Sequence, residues 1–280
     1  MIYRADFNIR SSNVNLISPT IFANISRVLF EIFDEDKALN LIDLIVKSKT
    51  LISDVLLKEN LPIVKFNDVV FQGQEVDLNQ KRDEFRKWRD RQKDIYDLKY
   101  EENTRIRIRI DRKKGTAEEG YLFYQDEKVF NKDLYSIYVY TEDKNVINIF
   151  ELVFKIFEKT GIGNDLSIGL GQVKFIRYDE KIFVRDIDME KRFLNKGKLK
   201  YSISSVIISD EVLKDYKFLR YKISRYDGRS PHLVKPPYYL FEKGAMLEVL
   251  KFKGPYLSRF KDIFIYNCVF PITIEMEEGR

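Results

Sequence analysis

Gly161-Ile-Gly-Asn-Asp-Leu-Ser-Ile-Gly-Leu-Gly-Gln-Val-Lys-Phe175 places four glycines within eleven residues, between a helical pattern and a strand-like one. Upstream, Asn145–Thr160 sets Ile149, Phe150, Val153, Ile156 and Phe157 on one face of a helix. Downstream, Gln172–Tyr178 reads as a closing strand. Without Cβ atoms, a glycine backbone folds closely around a phosphate, and successive N–H groups can form an anion nest. Ser167 adds a hydroxyl donor and Lys174 a charge. Gly161, Gly163, Ser167, Gly169, Gly171 and Lys174 are therefore candidate anion-binding residues. A helix C-cap and connector explain Gly161 and Gly163, but not Gly169-Leu-Gly171. The loop is no Walker A element, since no Gly-Lys-Ser/Thr ends it. It is no Rossmann fingerprint either, because the order is helix–loop–strand.

Working outward, Ile2–Arg10 reads as a strand and Ser11–Pro19 as a polar loop with Ser18 as a helix cap. Ile21, Phe22, Ile25, Val28, Leu29, Ile32 and Phe33 then form one apolar helical face, and a second helix is expected over Asp36–Lys49. In Arg105–Ile110, arginines alternate with isoleucines, which predicts a half-buried strand exposing three guanidiniums. Further strands are expected near Tyr121–Tyr124 and Tyr135–Tyr140. The order strand–helix–strand–strand–helix–strand, with insertions, is that of an α+β, ferredoxin-like (RRM-like) domain. Asn79–Asn103 carries 8 Lys/Arg and 7 Asp/Glu, with Phe85, Trp88 and Ile95 at helical spacing, and reads as a solvated helix or inserted charged arm. Strand-rich runs after Ile182, including Tyr201–Ile208 and Leu219–Ile223, suggest a second unit of the same kind. The expected organisation is a domain over 1–186 with an insertion at about 58–103, then a smaller one over 187–280.

The whole chain has 280 residues, one Cys, one His and a net charge of +5. That balance is too mild to declare a nucleic-acid binder. Its distribution is not mild: Lys191–Lys261 holds 17 Lys/Arg against 6 Asp/Glu, a local +11 that leaves −6 for the remainder. Cys268 excludes an intramolecular disulfide and fits a reducing cytosol. His232, standing alone, excludes His-pair metal motifs. The polar start, MIYRADFNIR, carries no secretory h-region, and no apolar run approaches the ~20 residues of a membrane span, so a cytoplasmic protein is expected.

The pattern G-I-G-x-x-x-S-x-G-x-G-x-x-x-F resembles the glycine-rich loop of the RAMP superfamily of CRISPR proteins. Arg109-Ile-Asp-Arg-Lys-Lys-Gly-Thr-Ala-Glu-Glu-Gly-Tyr-Leu-Phe123 is similar to an I-D-R-x-x-G-x-A-x-E-G-x-L-F element of subunit 4 of the Csm complex, the type III-A effector. Tyr221-Lys-Ile-Ser-Arg-Tyr-Asp-Gly228 with Phe241-Glu-Lys-Gly-Ala245 resembles that family's R-x-G-G…K-x-G-S-x-F region. Ile52-Ser-Asp54 with Leu61-Pro-Ile-Val-Lys65 resembles its S-D and L-P-x-x-K segment. Asp227-Gly228, Ala245 and Cys268 depart from the family pattern. The resemblance implies tandem ferredoxin-like RAMP domains and a non-catalytic subunit without cofactor. Such a subunit binds the 5′ handle of the CRISPR RNA and joins the large polymerase-like subunit and the backbone subunit. RNA contact is then expected at the glycine loop and at Arg27, Arg109, Arg112 and Arg225, with aromatic stacking of splayed bases.

Each of these residues has a plainer reading. Arg109 and Arg112 flank Asp111 and can pair with it, and Arg27 can be a solvent-facing helix residue. The alternative function is a metal-independent endoribonuclease acting on CRISPR repeat RNA. A single His weakens that reading, although Tyr and Lys can also serve as acid or base. A third reading is a structural subunit whose basic face meets acidic proteins. Asp34, Glu35, Asp36 and Glu118-Glu119 are read as surface carboxylates, so no metal site is assigned. Cys268 is read as a small buried hydrophobe within a strand Ile263–Ile274.

Overall fold

A computed structural model describes residues 1–58, 61, 70–71, 74–75, 100–111, 116–130, 133–163, 166, 169–195, 199–226, 229–230, 233–234, 237–260 and 263–273. The chain begins β1 (Ile2–Ile9), β2 (Ser11–Ser12), α1 (Ser18–Ile32), α2 (Glu35–Lys47), β3 (Leu51–Ile52) and β4 (Leu56–Leu57). A short hairpin, β5 (Val70–Phe71) with β6 (Gln74–Glu75), precedes a long one, β7 (Tyr100–Asp111) with β8 (Thr116–Phe130). Then come β9 (Tyr135–Tyr140), α3 (Lys144–Thr160), β10 (Val173–Phe175), β11 (Phe183–Arg185) and α4 (Ile187–Leu194). The remaining elements are β12 (Leu199–Ser202), β13 (Val206–Ile207), α5 (Asp210–Asp215), β14 (Tyr216–Arg220), β15 (Ile223–Tyr226), β16 (Arg229–Ser230), β17 (Leu233–Val234), β18 (Tyr238–Phe241), β19 (Met246–Val249), β20 (Tyr256–Phe260), β21 (Ile263–Asn267) and β22 (Pro271–Thr273). Among the described residues, no helix is long and apolar enough to cross a membrane.

The first sheet runs β10-β1-β9-β3, all antiparallel, with β11 also on β1 and β4 on β9. Taking β1, β3, β9 and β10 as strands one to four, this is the 4-1-3-2 order of a ferredoxin-like fold. Its second strand is only Leu51–Ile52, not the Arg105–Ile110 segment that the alternation suggested. Those residues instead lie in the β7–β8 hairpin, an excursion between β4 and β9. Ile106 is 63% exposed there, so the burial expected of it is not found; the side chains of Ile108 and Ile110 lie outside the described residues. A two-stranded ribbon has no second layer to bury a face against.

The helices cover the sheet face that carries Phe7, Phe175 and Phe183. Phe154 of α3 lies 5.1 Å from Phe175 and 4.8 Å from Phe183 between ring centroids. Phe150, Phe154 and Phe157 are fully buried, and each such burial contributes about 1.5–3 kcal/mol. Asp143 accepts from the Asn145 N–H at the start of α3. Asp34 accepts from the Lys37 N–H to cap α2, with Glu35 and Asp36 in its first turn. Those three carboxylates thus serve a helix end. At α1 the N-cap is Ile17, not Ser18, and no side chain of the cap residue bonds the helix.

The second sheet, β14-β19-β12-β22, repeats the 4-1-3-2 order when read from β22. Its first helix is the six-residue α5, and the hairpin β20–β21 stands where a second helix would come. The expected strand Ile263–Ile274 is broken into β21 and β22, and Cys268 lies fully buried between them. Its thiol donates to Ile52 O at 3.3 Å, and burial pushes its pKa up, which leaves it inert. Tyr201, Ile203, Tyr266, Phe270 and Ile272 belong to the same apolar core as Ile2, Phe22 and Phe150. The two sheets therefore share one core.

Asp54 joins the two halves. This residue is 1% exposed; its Oδ1 accepts from Ser18 N–H and Ser205 N–H, both at 2.8 Å, and its Oδ2 from Ser205 Oγ at 2.6 Å. One carboxylate thus caps α1 from a distance and holds the chain between β12 and β13. This gives a physical role to the Ser-Asp pair singled out in the sequence.

Candidate nucleic-acid interface

α3 ends at Gly161, with φ +87° and its N–H on Phe157 O at 2.7 Å. Gly163, Gly169 and Gly171 also have positive φ, at +114°, +85° and +72°. Close approach of backbone fixes two of the four. A Cβ on Gly171 would lie 2.1 Å from Ile162 O, and one on Gly161 would lie 2.9 Å from Gly171 O. The nest anticipated from the glycines is not formed by the described residues, because their donors are already engaged. Ile162 N–H bonds Gly171 O at 2.8 Å, Gly163 N–H bonds Asn24 Oδ1 at 2.9 Å, Gly169 N–H bonds Leu166 O at 3.0 Å and Gly171 N–H bonds Ser11 O at 2.7 Å. The glycines bring the two ends of the loop against each other and against β2 and α1. Ser167 lies outside the described residues.

What the loop shapes is a cleft of about 870 Å³ between α3, β1 and β10, walled in part by Gly161, Leu166 and Leu170. Arg10, Lys159 and Lys174 bring three exposed cations to it. An adjoining hollow of about 210 Å³ shares Arg10, Leu170 and Gln172 and adds Arg105. The acid in the cleft, Glu158, is engaged: it accepts from Phe175 N–H at 3.0 Å and pairs with Arg177. Arg105 pairs through Nε with Glu127 at 2.6 Å. Lys174 therefore stands where the sequence placed it, whereas Arg10 was passed over. Its signal was available in the strict alternation Tyr3-Arg4-Ala5-Asp6-Phe7-Asn8-Ile9-Arg10, which puts Arg10 on the helix-free face. Arg10 N–H bonds Gln172 O at 3.2 Å, and Ser11 pairs with Val129, so the β7–β8 hairpin is rooted beside the loop.

The helix-free face is otherwise sealed. Asp6, fully buried, accepts from Ser136 Oγ at 2.6 Å and from Tyr178 OH, with Arg4 Nε at 3.2 Å and Lys58 Nζ at 3.6 Å. Arg4 also pairs with Asp186 at 3.1 Å. Burial pushes the Tyr138 hydroxyl up to about 12, and both Tyr138 and Tyr140 are buried. Among the described residues, this face offers no aromatic platform of the kind an RRM presents.

No family model matches the sequence, and none of the curated proteins matches it. Solved structures do. A chain of a Csm3–Csm4 subcomplex of the type III-A CRISPR–Cas interference complex superposes with a TM-score of 0.60 at 13% identity, covering 98% of this chain and 100% of that one. A chain of a Csm1–Csm4 cassette with AMPPNP gives 0.56 at 12%, covering all of both. A chain of a type III-B Cmr-beta complex bound to cognate target RNA gives 0.51 at 16%, covering 88% and 86%. The chain has the fold of type III CRISPR effector subunits.

Within this type III effector fold, α1 connects the sites singled out in the sequence. Thr20, Asn24 and Arg27 share one helical face. Asn24 accepts from the glycine loop at Gly163, while Thr20 Oγ1 meets Tyr226 OH of β15 at 3.1 Å. Arg27 follows Asn24 along that face; its Nη1 pairs with Glu31 at 3.4 Å, while Nε and Nη2 are shielded and donate to no described group. Arg225 is exposed on β15, next to Tyr226. Arg109 is the residue skipped by a register shift between Ile108 and Ile110 in β7. Arg112, His232 and most of Asn79–Asn103 lie outside the described residues.

Proposed function

We propose that this chain is a non-catalytic RNA-binding subunit of a type III-A CRISPR effector. It clamps the 5′ handle of the CRISPR RNA and docks the large polymerase-like subunit next to the backbone subunit. The observation that carries this reading is the cleft beside the glycine loop. Three exposed cations, one just past β1 and the others on α3 and β10, converge there without an uncommitted carboxylate. Phosphate contacts of this kind dominate RNA affinity and make it fall with salt. The fold likeness to chains of Csm3–Csm4 and Csm1–Csm4 assemblies supports the choice of partners.

Arg10→Ala with Lys174→Ala is expected to weaken binding of a handle-bearing single-stranded CRISPR RNA by tenfold or more. It should also flatten the log affinity–log salt slope by about 1.4, or ~0.7 for each lost single-strand phosphate contact. A slope and affinity unchanged by the pair, or failure of the wild-type chain to co-purify with both partner subunits, overturns the reading.

A further inference from the structure

We propose that the outward face of β15 and β18 is a stacking platform for an unpaired nucleobase of single-stranded RNA, built from Tyr221, Ile223, Arg225 and Tyr239. The proposal rests on the RNA-binding reading above and locates a second contact at the Thr20 end of the α1 face whose Asn24 holds the glycine loop.

The antiparallel register sets Arg225 directly opposite Tyr239, and Ile223 opposite Phe241. With side chains alternating along each strand, Ile223, Arg225, Tyr239 and Phe241 share one face. Tyr221 joins them, its ring 4.5 Å from that of Phe241, which itself lies 4.2 Å from Phe218. The platform is thus anchored at one end in the smaller apolar core, where Phe241 is buried with Val206 and Leu247. Its back is held as well: Leu240 is buried, and Tyr226 bonds Thr20 of α1.

The front is uncovered. Tyr221 is 46% exposed, Ile223 49% and Tyr239 59%, and Arg225 stands exposed among them. Single exposed apolar residues are ordinary, but three large ones clustered on two short strands mark an interaction surface. Chemistry and charge select its occupant. Lys214, Lys217, Arg220, Lys222 and Arg225 surround the patch in sequence against Asp215 alone. Lys217 pairs with Glu248 at 3.4 Å and Lys222 with Glu242 at 3.0 Å, so two of the five cations have acidic partners. Exposed tyrosine faces beside a guanidinium suit a ligand that has both a π-face and a phosphate. Among its described residues the first sheet provides no such surface, because Tyr138 and Tyr140 are buried.

The test uses the full chain and two labelled probes, single-stranded oligoadenylate and oligouridylate. Tyr239→Ala should weaken oligoadenylate binding by about five- to hundredfold, and oligouridylate binding less, with the salt slope unchanged. Tyr239→Phe should bind as wild type, and Arg225→Ala should lower the slope by about 0.7. Tyr239→Trp should show emission quenched by RNA. Thermal melts should not move, since these side chains are exposed. If wild type binds RNA and Tyr239→Ala binds it equally, the platform is disproved and the cleft stands. If Tyr239→Ala instead loses a partner subunit with RNA affinity intact, the face belongs to a protein and the proposal falls. If wild type binds neither probe nor the handle RNA, the RNA-binding reading fails and this inference with it.

Discussion

Asp54→Ala should lower the unfolding free energy by about 3–5 kcal/mol, read as a shift in the urea midpoint at constant slope. The substitution strands three donors at once: the N–H groups of Ser18 and Ser205 and the Ser205 hydroxyl. The site is 1% exposed, and each unsatisfied buried donor costs about 1–3 kcal/mol. Asp54→Asn should cost less, because an amide oxygen at the Oδ1 position keeps both backbone donors while its NH₂ faces the Ser205 hydroxyl. The pH dependence has a defined sign. Burial pushes the Asp54 carboxyl above its ordinary 3.8, against the opposing pull of Lys243 and of the Ser205 and Ser18 donors. The folded state therefore holds the proton more tightly than the unfolded chain does. Stability from this group is present at low pH and is lost as pH rises from 3.8 through the folded-state value. The margin of wild type over Asp54→Asn should accordingly shrink across that rise; a margin that grows would contradict the assignment.

The second large effect separates two glycines that look alike in sequence. Gly171→Ala would place a methyl 2.1 Å from Ile162 O at φ +72°, against a backbone that is itself hydrogen-bonded to residue 171. We expect a loss of about 3 kcal/mol or more. RNA binding should fall with it, since Gln172 and Lys174 follow directly and Arg10 is bonded to Gln172. Gly169→Ala meets nothing nearer than Gln172 Nε2 at 3.8 Å and carries only the left-handed penalty of about 1–2 kcal/mol. Thermal denaturation and RNA titration of both variants give the comparison. Equal effects at the two positions would show that φ alone, and not close approach, governs the loop.

Long periodic elements were legible. Asn145–Thr160 and Tyr135–Tyr140 lie within a residue of α3 and β9, because burial against a sheet imposes its period on every turn or alternate residue. Leu51–Ile52 was not legible as the second strand, since two residues show no period. Ser18 looked like a cap by residue type, yet the group that serves the end of α1 is Asp54, thirty-six residues away. At Arg105–Ile110 the alternation was real and the strand was correct. Burial of Ile106 was not, because alternation reports a two-faced strand and does not supply the layer that would cover one face.

The sequence by itself determined the helices and the first, third and fourth strands of the ferredoxin-like order, the concentration of positive charge after residue 190 and the place of the glycine loop. All three are properties of the chain read locally. Only the tertiary structure decided what the glycines do. Four positive φ angles follow from the absence of Cβ, but whether the freed N–H groups face a ligand or the protein depends on which backbone lies opposite. Here Phe157, Asn24, Leu166 and Ser11 accept the N–H groups of Gly161, Gly163, Gly169 and Gly171, and the cations that face the cleft come from three separate segments. Hydrogen bonds and charge clusters are made between residues distant in the chain, and their pairing exists only once the sheet has fixed the distance.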